Sequence, residues 1–592
     1  MSFEIGFVLF IVVLMMAGLI LELARPDLIV FGTLTIFLLT GILTPEEALK
    51  GFSNQGMLTI ALLFIVAGTI EKSGLVDQLT RKLLTKSKTP NQTLLKVLAP
   101  ISGLSAFLNN TPIVVAFTPI IRKWCAEHGI SPSKFLIPLS YATILGGTIT
   151  LMGTSTNLVV HGLMLDLGLD GFSMFQLAIV GVPITIIGIF YILTIGFRLL
   201  PSHKVMTEMV NEQSREYLSE VLVEEDFPYT NQTIEQAGLR HLKGLYLIEI
   251  IRGKEKISPV KSTTIIKAGD RLIFTGLITT IAELQQMKGL RVAAGTDLTL
   301  DTLKNGHTQL VEAVVSHQSS LTNKKIRDTG FRSKFDAGVI AVHRHGERIK
   351  SKIGDIILKP GDTLLLICGH DFQYRIRQSN DFYVVTSLVT PPCLEDQRKG
   401  WFSILTLLAM ILLVTFNVLS MFKAMSLAVV ILLLARVLTP EEAKQSVQFN
   451  ILLLIASALG VGTALLKTGA AEWIANGLLT ISEPLGIVAV LMMIYILTNI
   501  FTEVITNTAA AAMMFPIGME ISSQMNLDPM AIAVLIAIAS SASFATPIGY
   551  QTNLIVYGPG GYKFTDYIKI GLPLSIIVMT ITVLIVNLVW IT

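Results

Sequence analysis

Apolar runs of membrane-spanning length recur at both ends of the chain and stop in its middle. A hydrocarbon core of about 30 Å takes roughly twenty apolar residues in helix, somewhat fewer at the minimum. A first block offers runs near 4–24, 27–43, 56–74, 135–165 and 174–199. A second offers 401–417, 421–438, 448–468, 529–558 and 566–590. The run at 5–21 has no basic leader or cleavage site, so we read it as a retained first span. Each block also holds an apolar stretch with a polar centre, at 92–121 and 484–522. Asn109-Asn110-Thr111-Pro112 interrupts one and Thr506-Asn507-Thr508 the other. This pattern predicts a re-entrant hairpin, whose tip is tolerated at membrane depth only if protein or a wet cavity surrounds it.

The two blocks repeat each other. LTPEEA at 43–48 recurs at 438–443, and Asn110-Thr111 recurs as Asn507-Thr508, with Pro119 answering Pro516. TLMGTSTNLVVHG ending at Gly162 aligns with TPIGYQTNLIVYG ending at Gly558, and Gly181-x-Pro183 with Gly571-x-Pro573. With five crossings and one hairpin each, the copies are predicted to be inverted repeats, in which substrate sites lie where broken helices meet at the midplane. Thr154-Ser155-Thr156-Asn157 interrupts one span and Thr546-Pro547-Ile548-Gly549 the other. Ser, Thr and Asn also serve as plain helix caps. Four symmetric positions, two of them at hairpin tips, favour a binding site over capping alone.

Composition agrees with this division. The 592 residues are 52% hydrophobic and 15% charged, against about a quarter charged in soluble domains. Residues 201–400 hold 27 of the 45 Lys+Arg and 24 of the 42 Asp+Glu, so a soluble block is inserted between two membrane blocks. A plain soluble enzyme is excluded, and no nucleophile–base pair or metal cluster suggests catalysis. The net charge of +3 gives no basic stripe for nucleic acid. With both termini outside, fifteen Lys/Arg fall on cytoplasmic loops of the membrane blocks, among them Arg81, Lys82, Lys86 and Lys88. Only Lys50, Lys423 and Lys467 fall outside, so the positive-inside rule places the insert in the cytoplasm. Cys125, Cys368 and Cys393 then face the reducing side as free thiols.

The interrupted segments carry hydroxyls and amides but no Lys or Arg. Helix N-termini suit a compact anion, and unwound carbonyls with Asn and Thr oxygens suit Na⁺. We read Glu503, three residues before the second tip, as snorkelling toward the outer surface. His161 reads as structural, and Tyr550, opposite Thr154 in the repeat, as a residue shaping the pocket.

At these residues the chain resembles the divalent-anion/sodium symporter family of sulfate, dicarboxylate and citrate carriers. That family places Ser-Asn-Thr at each hairpin tip; this chain keeps Asn-Thr and replaces the leading Ser. The resemblance implies substrate contacts from Asn110, Thr111, Asn507 and Thr508, with helix-break partners Thr154, Ser155, Thr546 and Pro547. It implies Na⁺ contacts from Asn109, Gly153, Asn157, Thr506, Gly549 and Asn553. It further implies a homodimer in the cell membrane working by an elevator motion. Sulfate is the first substrate expected and a dicarboxylate or citrate the second. An arsenite or Na⁺/H⁺ relative remains open, as does an ion channel gated by its insert, although no filter motif is present.

The insert is itself duplicated at an offset of 92, about 219–285 and 309–377. Arg252 matches Arg344, Glu255 matches Glu347, and Gly269-Asp270 matches Gly361-Asp362. Tyr246–Ile251, Leu272–Thr275 and Thr363–Ile367 read as strands, with the Gly-Asp pairs as hairpin turns. Each copy resembles the regulator-of-potassium-conductance C-terminal (TrkA-C) domain. That resemblance implies dimerisation and, in some members, a regulatory nucleotide such as cyclic di-AMP; a pure dimerisation platform is equally open. The expected fold is a polytopic α-helical membrane protein with two small α+β cytoplasmic domains between inverted repeats. Its divisions are 1–200, 201–295, 296–398 and 399–592.

Overall fold

A computed structural model describes residues 2–72 except Glu22, 90–202, and 397–592 except Asn417. It also describes 218–384 except 240–244, 254, 258–259, 261–262, 277–286, 293–308, 317–318, 345–346, 350, 352, 370, 378 and 380. Arg81, Lys82, Lys86, Lys88, Cys393 and the boundary expected at 295–296 lie outside the described residues.

The first block contains α1 (Phe3–Ile20), α2 (Pro26–Leu39), α3 (Pro45–Leu49) and α4 (Gln55–Lys72). It continues with α5 (Pro90–Ser105), α6 (Asn110–Glu127), α7 (Leu136–Gly147), α8 (Ser155–Asp166) and α9 (Ala178–Tyr191). The second repeats the order after two short helices of the insert, α10 (Phe331–Phe335) and α11 (Phe372–Arg377). It contains α12 (Gln397–Thr415), α13 (Met421–Leu434), α14 (Pro440–Ser446), α15 (Phe449–Lys467) and α16 (Ala470–Ser482). Then come α17 (Ile487–Val504), α18 (Asn507–Gln524), α19 (Pro529–Ser541), α20 (Gln551–Tyr557) and α21 (Phe564–Val586). Among the described residues seven helices are long and apolar enough to cross a membrane, and four apolar helices of 10–17 residues accompany them.

Local chemistry explains the repeated boundaries. Both LTPEEA copies start a helix with a capping box, Thr44 with Glu47 and Thr439 with Glu442, and with Pro at the first helical position. The runs expected at 135–165 and 529–558 each divide into two helices, α7/α8 and α19/α20. The first break lies slightly earlier than the sequence suggested. Residues 148–153 are unwound, Thr154 caps α8, and Ser155, Thr156 and Asn157 form its first turn. In the second, the chain leaves helix after Ser541 and re-enters at Gln551. Every residue of α7 is buried, as is α19 from Ala531 onward, so the broken helices form the centre. Outer helices instead expose Phe10, Phe190 and Leu405, the apolar surface that contact with lipid requires.

The insert forms two five-stranded antiparallel sheets. The first contains β1 (Leu218–Val223), β2 (Leu245–Arg252), β3 (Glu255–Ile257), β4 (Arg271–Gly276) and β5 (Leu290–Val292). Its strand order is β3-β2-β4-β1-β5. The second contains β6 (Gln309–Val315), β7 (Ala337–Arg344), β8 (Glu347–Arg348), β9 (Thr363–Cys368) and β10 (Phe382–Val384). Its order, β8-β7-β9-β6-β10, is the same. Register follows the 92-residue offset: Leu218 faces Thr275 as Leu310 faces Ile367, and Val221 faces Val292 as Ala313 faces Val384.

The Gly-Asp pairs do form tight turns, with Gly269 and Gly361 at φ +82° and +84°. They do not join hydrogen-bonded neighbours, however, because β2 lies between β3 and β4 and β7 between β8 and β9. Each Asp instead binds an arginine of the adjacent strand, Arg252 to Asp270 and Arg344 to Asp362, both at 2.8 Å.

The second unit also touches the helical core. Arg122 of α6 forms a 2.9 Å ion pair with Glu312 of β6. Thr363 sits against Gly558 and Gly361 against Leu554, too close for a Cβ on either glycine. Tyr383 of β10 packs on the helical core.

Candidate functional site

Four interrupted segments bring polar groups into the buried centre: the turn 106–109 between α5 and α6, the break 148–154, the turn 505–506 between α17 and α18, and the break 542–550. Each is held by side-chain bonds that recur in both halves. The Ser105 hydroxyl is shared between the Asn110 amide oxygen and the Thr143 carbonyl, 2.8 Å away. Thr502 is shared in the same way between Asn507 (2.9 Å) and the Ser540 carbonyl (2.6 Å). Asn157 donates to the carbonyls of Gly147 (3.2 Å) and Thr150 (2.9 Å). Asn553 donates to those of Ser543 and Thr546, both at 3.1 Å. These asparagines satisfy carbonyls released where the helices unwind. Glycine is required between them, because a Cβ on Gly153 would strike the Gly147 carbonyl and one on Gly549 the Ser543 hydroxyl.

The halves then interlock. Asn110, at the start of α6, donates to the hydroxyl of Tyr550 in the second break at 2.6 Å. Thr154, in the first break, lies 3.2 Å from the same hydroxyl, and Asn507 lies close to it. Thr111 donates to the Gln551 side chain at 3.1 Å. Ser140 of α7 donates to Asn553 Oδ1 at 2.7 Å. Asn110, Thr154, Asn507 and Tyr550 thus meet at one point, and Thr111 lies beside it.

The other sequence-selected residues take framework places. Asn109 and Thr506 stand at the N-cap positions of α6 and α18 without side-chain capping bonds. Ser155 and Thr508 lie in first helical turns, and Pro547 is buried in the second break. Thr546 donates its hydroxyl to the Glu503 carbonyl at 2.9 Å and accepts from Gly549 N at 3.0 Å.

Glu503 does not snorkel. Its carboxylate turns inward and accepts from Ser543 Oγ (3.0 Å) and from the backbone N–H groups of Phe544 (2.9 Å), Ala545 (2.8 Å) and Thr546 (2.9 Å). Four donors offset the cost of keeping a carboxylate away from water. Its counterpart in the first half is Ala106, which offers only a backbone carbonyl to Thr150. The broken backbone is therefore pinned by a carboxylate in one half alone.

Several oxygens at the breaks have no partner among the described residues, Thr156 Oγ1 and Ser541 Oγ among them. Asn157 Oδ1 and Thr506 Oγ1 are buried and accept no bond among the described residues. Asn553 Oδ1 is satisfied by Ser140, whereas the position equivalent to Ser140 in the second half is Ala537, which cannot donate to Asn157. An unsatisfied buried acceptor beside loosened backbone fits the oxygen ligands that a small hard cation takes. His161 of α8 packs on Gly171, and its Nδ1 is buried without a hydrogen-bond partner among the described residues.

Sequence reading did not select Ser105, Thr502, Ser140 or Gln551. The signal for the first two was present, since both stand five residues before the tip asparagine at the same offset of 397. Ser140 and Gln551 act across the halves and leave no such trace.

Comparison with known proteins gives a consistent result. Residues 11–537 match the citrate transporter (CitMHS) family. A Chlamydomonas reinhardtii protein described as a candidate sulfur deprivation response regulator is 36% identical, over 94% of this chain and 97% of its own. A Synechocystis protein described as an uncharacterized transporter is 31% identical, over 100% and 98%. Sodium/sulfate cotransporter 2 of Chlamydomonas reinhardtii is 25% identical, over 94% and 86%. With its broken helices, lipid-facing apolar surface and matches along nearly its whole length, this chain belongs to the citrate transporter family and is a multi-pass membrane transporter.

Proposed function

We propose that the protein is a secondary active transporter that carries sulfate in symport with Na⁺. The observation that carries this reading is the meeting of Asn110, Thr154 and Asn507, drawn from both halves, on segments that carry no Lys or Arg. Neutral amides and hydroxyls at helix starts bind a compact anion through dipoles rather than a fixed cation. A co-transported cation then lowers the cost of moving negative charge through the membrane. Asn110, Thr111, Asn507, Thr508, Thr154, Ser155, Thr546 and Pro547 are the proposed anion contacts. Asn109, Gly153, Asn157, Thr506, Gly549 and Asn553 are the proposed Na⁺ set. The open oxygens of Asn157 and Thr506 support the latter. Sulfate and sodium in the name of a relative matched over 86% of its own length, sodium/sulfate cotransporter 2, add support.

In this reading the blocks are inverted repeats of five spans and one re-entrant hairpin. Both termini lie outside, and the sheet units are cytoplasmic RCK-C-like domains of a homodimer. The units would take a regulatory nucleotide such as cyclic di-AMP, which calorimetry on the whole protein tests. A dicarboxylate or citrate carrier is the second reading, favoured by the family's description.

Uptake of labelled sulfate, succinate and citrate into proteoliposomes, with and without a Na⁺ gradient, decides between them. Na⁺-driven accumulation of sulfate is expected. Accumulation of succinate or citrate in preference to sulfate would establish the second reading, and transport of none would refute both. Asn110→Ala and Asn507→Ala are each expected to abolish uptake in folded protein; native uptake in both would remove the tips from the site.

A further inference from the structure

Tyr550 places a large side chain at the point where the four segments converge. It is buried, and its hydroxyl meets Asn110 and Thr154 at once, with Asn507 close by. These three groups come from both tip helices and from the first break, so a single phenol oxygen fills the gap between the halves. The position is fixed from both sides. Gly549 before it is packed against Ser543 and the Thr502 carbonyl, and Gln551 after it starts α20 and accepts from Thr111. In the first half the equivalent residue is Thr154, so the tyrosine breaks the similarity of the two breaks at their meeting point.

We propose that Tyr550 determines anion size: its ring shortens the space between the tips to that of a compact tetrahedral oxyanion, and its hydroxyl donates to that anion. This inference rests on the sulfate reading above. An anion bound by the tip amides must replace the phenol oxygen as the acceptor for Asn110. The freed hydroxyl then turns its proton to an anion oxygen, so no hydrogen bond is lost in the exchange. A tetrahedral oxyanion presents several acceptors around one atom and satisfies all these donors from one centre. A dicarboxylate holds its acceptors apart on a carbon chain, which the ring obstructs. Rejection then follows from sterics and from donors left unpaired, the stronger form of discrimination.

Two variants separate the roles of ring and hydroxyl. Tyr550→Thr installs the residue of the other break and removes the ring. Tyr550→Phe keeps the ring and deletes the oxygen. In proteoliposomes the native protein is expected to take up sulfate without competition from excess succinate. In Tyr550→Thr, succinate should become a competitor and be taken up, while the KM for sulfate rises. In Tyr550→Phe, succinate should stay excluded and the KM for sulfate rise roughly tenfold, the loss of about one hydrogen bond. The competition pattern is a readout that mere loosening of the fold would not shift in opposite ways. Continued rejection of succinate by folded Tyr550→Thr overturns the role of the ring while leaving sulfate transport intact. An unchanged KM in Tyr550→Phe overturns the role of the hydroxyl, and this variant decides the proposal if Tyr550→Thr does not fold. Native protein that carries no sulfate overturns the functional reading itself, and this inference with it.

Discussion

In the first sheet unit Glu220 reaches Arg271 on the neighbouring strand, and Glu224 pairs with Arg291 at 3.4 Å. Arg271 is 44% exposed and Arg291 68%, so both cations face water. In the second unit the equivalent positions hold Glu312 and Thr363, and Ser316 and Tyr383. The carboxylate of Glu312 is only 1% exposed. It takes Arg122 from α6 instead, while Thr363 fits against Gly558, and Tyr383, hydrogen-bonded to Ser316, packs on the helical core. Two replacements of arginine, by threonine and tyrosine, thus turn a charged surface into a docking surface. The comparison teaches that a duplicated unit can change its neighbour while keeping its fold. The retained carboxylate is redirected, and the positions around it lose charge and gain fit.

The largest expected effect comes from Arg122→Ala. Breaking one side of a buried pair costs up to about 3–5 kcal/mol, because the remaining charge loses the opposite charge beside it. Hydrogen exchange in nanodiscs should then accelerate along β6 and β9 but not along β1 and β4. Equal protection in both sheets would break the comparison.

Acid should act on the second unit through Asp381. Burial would raise the pKa of Asp381, but Lys334 with donors from Ser379 and Ser320 outweighs it and holds the value at about 2. The carboxylate therefore stabilises the fold above its unfolded value, and this contribution drains away as pH falls from about 4 through 2. After allowance for screening the loss is about 1–2 kcal/mol. The first unit has Gly289 at the equivalent position and should lack this dependence. Exchange rates corrected for intrinsic pH effects, or Asp381→Asn at neutral pH, check it.

A smaller effect is expected when both partners go. Arg122→Met with Glu312→Leu should stay within about 1 kcal/mol of native, since an apolar pair avoids the desolvation cost. A loss as large as that of Arg122→Ala would show that packing, rather than an unpaired charge, dominates the contact. Arg291→Ala should be the mildest, about 0–1 kcal/mol, as for exposed ion pairs generally. Thermal unfolding followed in both variants ranks them.

Much of this architecture can be read from the chain. Apolar run length located the helical blocks, the LTPEEA copies marked their duplication, and the 92-residue offset gave matching strand registers. The approximate places of the helix breaks were legible from Gly, Pro and polar residues inside apolar runs. What was hidden depends on contacts between distant segments. Tyr550 meets Asn110 across 440 residues and Ser140 meets Asn553 across 413, whereas the repeat pairs each with its equivalent and not with its neighbour. Glu503 was misread because its four donors exist only once α19 stops at Ser541 and releases its backbone. The local pattern contains the carboxylate but not the donors that draw it inward.

Helix α6 has Asn110 at its start and Arg122 three turns along, separated by about 18 Å at the usual helical rise. A helix of that length behaves as a strut. One end lies in the polar cluster and the other is fastened to the flank of a β-sheet. Lengthwise displacement of either end must arrive at the other, less whatever bending Pro119 absorbs between them.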